Sequence, residues 1–291
     1  MRVLYLYSDK TGLIRNTRFH IKIAKKLSKI FEVVDVHKTL SVEDLQTKAR
    51  ECSKTYDVLV LAGGDGSLQK VVDTISKLPK KDRPILGYIP TGTVNDSGKS
   101  FGVKGTIRQA ISVLKKQKIY DIDVCKANDT HFTFVAAIGQ FTDISYIASR
   151  KTKKYFGRFS YYAIAVKEAF TKKVIDINLK IDGKMFAIKA PFIMVLNGVN
   201  CGGFKVNKNN SLFDGMCDIY ITKPTFLNGL PNFIFNRKNV FHFKAKHIEI
   251  STSENGPWCI DGESFKSGDL KIDVLPAHIR VFGDIKKSTE N

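Results

Sequence analysis

Short apolar runs bounded by turn-forming residues recur through the first part of the chain. Residues 3–7, 33–37, 58–62 and 85–89 are rich in Val, Ile, Leu and Tyr and read as strands, those at 58–62 and 85–89 as buried ones. Between them the apolar spacing becomes helical. In residues 17–31, Phe19, Ile23, Leu27 and Ile30 recur on one stripe, while Lys22, Lys25, Lys26 and Lys29 fall elsewhere, as on an amphipathic surface helix. Residues 68–75 and 106–115 read as further helices. Strand and helix in alternation predict βαβ units and a parallel sheet.

Near Tyr120 the texture changes to short alternating runs separated by polar turns. Residues 132–137, 175–181, 186–190, 192–196, 217–221, 248–251 and 270–274 read as strands of an antiparallel sandwich or barrel. Tyr161, Ile164, Ala165 and Glu168 have helical spacing, which predicts a helix over residues 160–171 within this second region. The fold class expected is α/β plus all-β: an N-terminal parallel-sheet domain over 1–124 and a C-terminal antiparallel β-sandwich domain over 125–273. Residues 286–291 read as a frayed tail.

Composition narrows the partners. The 291 residues, 43% of them hydrophobic, suffice for two cores. Lys and Arg number 47 against 28 Asp and Glu, a formal charge of +19. Such a field favours an anionic partner: a nucleotide, a nucleic acid or an anionic membrane surface. No nucleic-acid-binding module is recognisable, so none is expected as partner. With no run of 18 apolar residues and no signal-peptide pattern, the chain reads as a soluble, cytoplasmic protein without a transmembrane segment. Five cysteines, Cys52, Cys125, Cys201, Cys217 and Cys259, are scattered without a CxxC pair. That argues against a disulfide framework or a zinc site and for reduced thiols.

The chemistry lies where two strands end. Ala62-Gly63-Gly64-Asp65-Gly66-Ser67 follows the apolar run 58–61, so a buried strand opens into a turn with few obstructing side chains. Gly63, Gly64 and Gly66 let backbone N–H groups approach an anion, and the following helix would aim its positive dipole there. A carboxylate at Asp65 would repel phosphates unless a cation such as Mg²⁺ came with them. A plain strand–turn–helix loop is the alternative. A second loop, Pro90-Thr91-Gly92-Thr93-Val94-Asn95-Asp96, follows the strand 85–89. In a parallel sheet the two loops should lie side by side. Thr91, Thr93 and Asn95 would then offer neutral hydrogen bonds and Asp96 a further carboxylate, or Asn95-Asp96 would simply cap the next helix.

The stretches GGDGSLQKVVDTI and LGYIPTGTVND resemble the diacylglycerol kinase catalytic family, the soluble bacterial lipid kinases whose loops read GGDGT and P-x-GT-x-ND. The likeness continues in order through Ile122-Asp123-Val124, residues 132–139, Asn197-Gly198, Leu212-Phe213-Asp214-Gly215 and Ile260-Asp261-Gly262-Glu263. It implies an α/β nucleotide domain, a β-rich second domain, and a C-terminal segment of about 274–291 returning to the first. It also implies ATP and Mg²⁺ as cofactors, Glu263 of the DGE motif as general base, and Asp65, Asp96 and Asp123 organising Mg²⁺. Asp121 and Asp123 stand at period two, and the I-D-V pattern favours Asp123. In similar kinases the loop at Ser211-Leu212-Phe213-Asp214-Gly215-Met216 holds a structural Mg²⁺, which would carry over to the Asp214 carboxylate with the carbonyls of Ser211 and Met216. Dimerisation through the β-rich domain is likewise only an implication of the resemblance.

The chain departs from the pattern in places. The N-terminal NP-x-SG appears as Ser8-Asp9-Lys10-Thr11-Gly12, leaving Thr11 and Gly12 as the surviving hydroxyl–glycine pair. Ser67 replaces a Thr. After Asn95-Asp96, the family's aromatic, small residue and Arg are replaced by Ser97-Gly98-Lys99. Thr39, following the second strand, is a further candidate contact for the nucleotide. Phe141, Ile144, Tyr146, Phe156, Phe159 and Tyr162 would supply an acyl slot or an ordinary core. The expected function is ATP-dependent phosphorylation of a lipid hydroxyl at an anionic membrane surface, most simply diacylglycerol to phosphatidate. The alternatives are an NAD kinase-like soluble kinase and a non-catalytic lipid- or nucleotide-binding regulator.

Overall fold

A computed structural model describes residues 1–9, 16–92, 95–103, 105–139, 174–198, 200–201, 204–205, 211–224, 237–253, 258–261, 263–265 and 268–285. The helix expected over 160–171, the aromatic residues from Phe141 to Tyr162 and the tail at 286–291 lie outside them. By contact the chain divides into two units. Unit 1 comprises Met1–Val124, Gly198–Asp214 and Leu275–Asn291, and unit 2 comprises Cys125–Asn197 and Gly215–Val274.

Unit 1 begins with β1 (Arg2–Tyr7), α1 (Thr17–Leu27), β2 (Val33–Lys38), α2 (Val42–Thr55), β3 (Val58–Gly63), α3 (Asp65–Ser76), β4 (Ile85–Pro90), α4 (Asp96–Ser100) and α5 (Ile107–Lys116). The strands pair in parallel in the order β2-β1-β3-β4. Alternation along β3 divides the core. Leu59 and Leu61 pack with Leu45, Ala49 and Cys52 of α2 and with Leu68, Val71 and Ile75 of α3. Val58 and Val60 pack with Ile23 and Leu27 of α1 and with Val113 and Leu114 of α5. The inner strands β1, β3 and β4, covered on both sides, read as continuous apolar runs, whereas the edge strand β2 is interrupted by Asp35 and His37 and is half-buried or exposed.

Local chemistry fixes the helix starts. Asn16, Ser41 and Thr106 each accept a first-turn N–H at α1, α2 and α5, an arrangement that contributes about 1 kcal/mol per cap. The stripe of α1 is buried through His20, Ile23, Ala24 and Leu27, leaving Lys22, Lys25, Lys26 and Lys29 exposed. His20 stacks on Tyr7 with ring centroids 4.1 Å apart and bonds the Tyr5 hydroxyl through Nδ1 at 2.8 Å. Arg83 closes the far end of α3: its guanidinium donates to the carbonyls of Ser76 at 3.0 Å, Leu78 at 2.9 Å and His278 at 2.6 Å.

The remaining strands are β5 (Ile119–Ala127), β6 (Thr130–Phe132), β7 (Val135–Gly139), β8 (Ile175–Ile181), β9 (Lys184–Ala190), β10 (Phe192–Leu196), β11 (Asn200–Cys201) and β12 (Phe204–Lys205). They continue as β13 (Cys217–Thr222), β14 (Val240–Ala245), β15 (His247–Thr252), β16 (Trp258–Ile260), β17 (Glu263–Phe265) and β18 (Leu270–Phe282). In unit 2, β9, β8, β15 and the start of β18 form one antiparallel array, and β14-β13-β10-β7-β16-β17 form a second. Ile175, Ile177 and Leu179 of the first share a core with Ile193, Val195, Ile219 and Ile260 of the second. Trp258 is fully buried in it, so its truncation to Ala would cost roughly 3–5 kcal/mol. The end of β18 belongs to unit 1, where Val281 pairs with Leu86 of β4.

Two features differ from the sequence reading. Residues 132–137, expected as one strand, are divided between β6 and β7, because the N–H groups of Thr133 and Val135 turn to the Asp261 carboxylate at 3.1 and 2.8 Å. The strand expected over 270–274 continues to Phe282 as a single element.

Candidate active site

The first glycine loop is short and open. β3 ends at Gly63, and Gly64, with extended backbone at φ −94° and ψ −179°, is the N-cap of α3. Among the described residues no side chain caps this helix, and the positive dipole end of an uncapped helix start suits an anion. Asp65 occupies the first helical position and is half-buried, as are Gly66 and Ser67.

The second loop lies against the first. Gly63 of β3 is in register with Pro90 of β4, and the N–H of Thr91 donates to the Gly63 carbonyl at 2.9 Å. Beyond that bond the chains touch through two residues without side chains. A Cβ on Gly92 would stand 2.7 Å from Gly64 Cα, and one on Gly64 would stand 3.3 Å from Gly92 Cα. Asn95 has a left-handed backbone at φ +53° and is buried. Its side chain folds back on its own loop: Oδ1 accepts from Gly92 N–H at 2.9 Å and Nδ2 donates to the Gly92 carbonyl at 2.7 Å. Asn95 therefore shapes the loop rather than capping α4. Thr91 is buried beside it, Thr93 lies outside the described residues, and Asp96 opens α4.

Beneath both loops stands Tyr88, a β4 residue that apolar patterning assigns only to the core. Its hydroxyl donates to the Gly63 carbonyl at 3.0 Å and lies 3.4 Å from Asn95 Oδ1. Burial, with the Asp65 charge nearby, pushes the phenol well above its usual pKa, so the hydroxyl remains a donor.

On β5 the two candidate aspartates share a face, and burial increasing along the strand separates them. Asp121 is exposed, whereas Asp123 is 2% exposed and its Oδ1 accepts the N–H of Ala277 at 2.9 Å. The N–H of Asp123 donates to the Leu212 carbonyl at 2.8 Å, which brings the loop starting at Ser211 against this strand. In that loop Ser211 Oγ accepts the N–H of Phe213 at 3.0 Å, Asp214 is exposed and Gly215 has φ +66°. Met216 is half-buried and leads into β13.

Glu263 belongs to unit 2. β16 and β17 pair antiparallel with Ile260 opposite Glu263, and Asp261 follows Ile260 in a turn. Asp261 has φ +46°, the conformation Asp-Gly turns adopt. Its carboxylate accepts from Thr133 and Val135, and its own N–H donates to the Val135 carbonyl at 2.9 Å. The turn is thus anchored from behind while Glu263 is left exposed. Among the described residues no three His, Cys, Asp or Glu side chains cluster as a metal cage.

Residues 2–127 match the family model of the diacylglycerol kinase catalytic domain, and residues 142–283 that of the YegS C-terminal NAD kinase beta sandwich-like domain. A diacylglycerol kinase of Staphylococcus saprophyticus is 31% identical over 98% of this chain and 96% of its own length. One of Staphylococcus aureus strain MRSA252 is 32% identical over 97% of this chain and 92% of its own length. The chain belongs to the diacylglycerol kinase family. A crystal structure of a diacylglycerol kinase from Bacillus anthracis str. Sterne superposes with a TM-score of 0.84 at 26% identity, covering 97% of both chains. The chain is accordingly a lipid kinase with an α/β domain and an antiparallel β-sandwich domain, and membership of a kinase family implies ATP and a divalent metal.

The residues present fit those groups. Gly64 and Gly92 allow the two loop backbones to touch, since a Cβ at Gly92 would collide with Gly64, and they do so beside a helix start that suits phosphates. Asp65 and Asp123 are hard oxygen donors suited to Mg²⁺. Among the other residues that diacylglycerol kinase motifs single out, Thr39 is buried and donates through N–H and Oγ1 to the Tyr7 carbonyl at 2.7 and 3.1 Å. Thr11 and Gly12 lie outside the described residues. Just before them, Asp9 pairs with Lys38, and that bond holds its carboxyl below the usual range. Tyr88 and Asp261 are the residues that motif reading leaves without a role, the first hidden in an apolar strand and the second overshadowed by Glu263.

Proposed function

We propose that this chain transfers the γ-phosphoryl group of ATP to the free hydroxyl of diacylglycerol, giving phosphatidate and ADP. The observation that carries the reading is the approach of Gly92 to Gly64 beside the uncapped start of α3, a surface on which backbone amides can meet a triphosphate. Phosphoryl transfer needs chiefly positioning and charge neutralisation, with a carboxylate beside the attacking hydroxyl. Glu263 takes the hydroxyl proton as the new oxygen–phosphorus bond forms, and the bond to the ADP oxygen breaks with its electron pair leaving on ADP. Its exposure suits a base that must meet a substrate arriving from outside.

Asp65, Asp96 and Asp123 orient the metal-bound nucleotide, and Gly63, Gly66, Ser67, Thr91, Thr93 and Asn95 surround its phosphates and ribose. Mg²⁺, when bound, neutralises charge on the transferring phosphoryl group. The Asp214 carboxylate with the carbonyls of Ser211 and Met216 holds a second, structural cation. The exposed Lys22, Lys25, Lys26 and Lys29 favour adsorption on an anionic bilayer. Among the described residues no helix is long and apolar enough to cross a membrane.

The test is transfer of radiolabelled γ-phosphate to a panel of extracted lipids in mixed micelles, with Glu263→Gln measured alongside. Label is expected in phosphatidate, and the Gln variant should lose at least 100-fold in kcat, at the lower end of what a positioned base contributes. Label in no lipid would overturn the lipid acceptor, and an equally active Gln variant would overturn the base.

A further inference from the structure

We propose that Tyr88 is a positioning residue that sets the separation of the two glycine loops and thereby the affinity for the nucleotide phosphates. The inference rests on the nucleotide-site reading above and adds a member just outside the P-x-GT-x-ND pattern. The phenolic oxygen stands between one atom of each loop, the Gly63 carbonyl at 3.0 Å and Asn95 Oδ1 at 3.4 Å. Both atoms are already part of the contact between the loops: Gly63 receives the Thr91 N–H at 2.9 Å, and Asn95 grips Gly92 through both ends of its amide. With a glycine on each side, no side chain can act as spacer at the point of closest approach. The spacing then depends on hydrogen bonds from below.

The ring is held so that its hydroxyl cannot choose another partner. Tyr88 is 2% exposed and meets Phe101 edge to face, with centroids 6.5 Å apart and planes at 87°. Gly98 lies against the ring: a Cβ there would be 3.1 Å from Tyr88 Cε1. Gly98, which stands where the family pattern has its small residue, thus leaves room for a tyrosine under the loop. The phenol remains protonated, because burial and the neighbouring Asp65 oppose its ionisation.

Tyr88→Phe keeps the ring and removes only the donor. Binding of MgATP measured by calorimetry without lipid, together with steady-state kinetics, should show Kd and KM for ATP raised about 10-fold, a typical loss for one buried hydrogen bond. The KM for lipid should stay near the wild-type value and the melting temperature within a few degrees of it, the cost of one buried hydrogen bond to the fold. Gly98→Ala, which keeps the hydroxyl but crowds the ring, should weaken ATP binding in the same direction. The double variant should be no weaker than Tyr88→Phe alone, since both changes act through one oxygen. Unchanged ATP affinity in Tyr88→Phe would overturn the proposal. So would parallel losses in ATP affinity, lipid KM and melting temperature, which mark general loosening. If Tyr88→Phe does not fold, Gly98→Ala decides alone by the same criteria. A wild type that binds MgATP but labels no lipid would sink the acceptor assignment and leave the Tyr88 result to be read from binding.

Discussion

The N–H of Ala277 donates to Oδ1 of Asp123 at 2.9 Å, joining residues 154 positions apart in the chain. Ala277 has φ +45°, a conformation that non-glycine residues seldom adopt and that needs surrounding structure to hold it. Asp123 therefore supports the last strand of its unit as well as supplying a carboxylate, and the two contributions can be separated. Asp123→Asn keeps an oxygen acceptor for Ala277 and removes the charge. It should lower kcat at least 10-fold while melting within a few degrees of wild type. Asp123→Ala leaves the N–H without that partner and should also lose about 1–3 kcal/mol of stability. Urea melts of both variants beside their kinetics check this, and equal stability losses would contradict it.

The two glycines at the loop contact are not equivalent. A Cβ on Gly92 would lie 2.7 Å from Gly64 Cα and 2.7 Å from Asn95 Oδ1, so backbone must move. A Cβ on Gly64 would lie 3.3 Å from Gly92 Cα, which a shift of a few tenths of an ångström relieves. Gly92→Ala should weaken MgATP binding by at least 100-fold and Gly64→Ala by roughly a tenth of that, as each 1.4 kcal/mol of misfit is tenfold. Calorimetric titration with MgATP ranks them, and the reverse order would be incompatible with the contact described.

These contacts mark how far the sequence could be read. The inner parallel strands β1, β3 and β4 were legible because burial on both faces leaves unbroken apolar runs, and the juxtaposition of the glycine loops follows from strand order alone. Asp123 over Asp121 does not follow from alternation along β5, since residues two apart share a face; only the I-D-V pattern favours it. The role of Tyr88 is not legible either, since a tyrosine within Ile85–Pro90 reads as one more core residue until a carbonyl from another strand is placed against its hydroxyl. Strand β14 is not among the expected strands, although Phe241, Phe243 and Ala245 alternate with His242 and Lys244 along it. Nor does any local signal divide β6 from β7, because the cause is a carboxylate about 126 positions away at Asp261.

That carboxylate gives the DGE turn a second function distinct from its glutamate. Asp261 accepts the N–H groups of Thr133 and Val135 at 3.1 and 2.8 Å and is 5% exposed. Asp261→Ala would leave two buried donors without this acceptor and force a methyl side chain to keep a left-handed backbone. A loss of about 2–4 kcal/mol in unfolding free energy is expected. Asp261→Asn, which retains one acceptor oxygen and tolerates φ > 0, should lose roughly half as much. Glu263→Gln, on the exposed side of the same turn, should melt as wild type does. A Glu263→Gln protein as unstable as Asp261→Ala would show that the turn does not divide its work in this way.

Acid should loosen the start of α2 through Asp44. Its Oδ2 accepts the Leu40 N–H at 2.8 Å, and the His37 ring lies 3.1 Å from both carboxylate oxygens. The Leu40 bond is the main cause holding the carboxyl below its usual range, with His37 adding to it. A carboxyl whose folded pKa is depressed binds fewer protons folded than unfolded, so it stabilises the fold above the unfolded value of about 3.9 and loses that contribution as pH falls below it. Asp44→Asn keeps an acceptor for Leu40 but cannot ionise. Wild type should therefore melt higher than the Asn variant at pH 7, and the two curves should converge as pH falls from about 4 toward 2. Melting temperatures taken across that range provide the check, and a gap that stays constant down to the lowest pH would assign the difference to packing instead of charge.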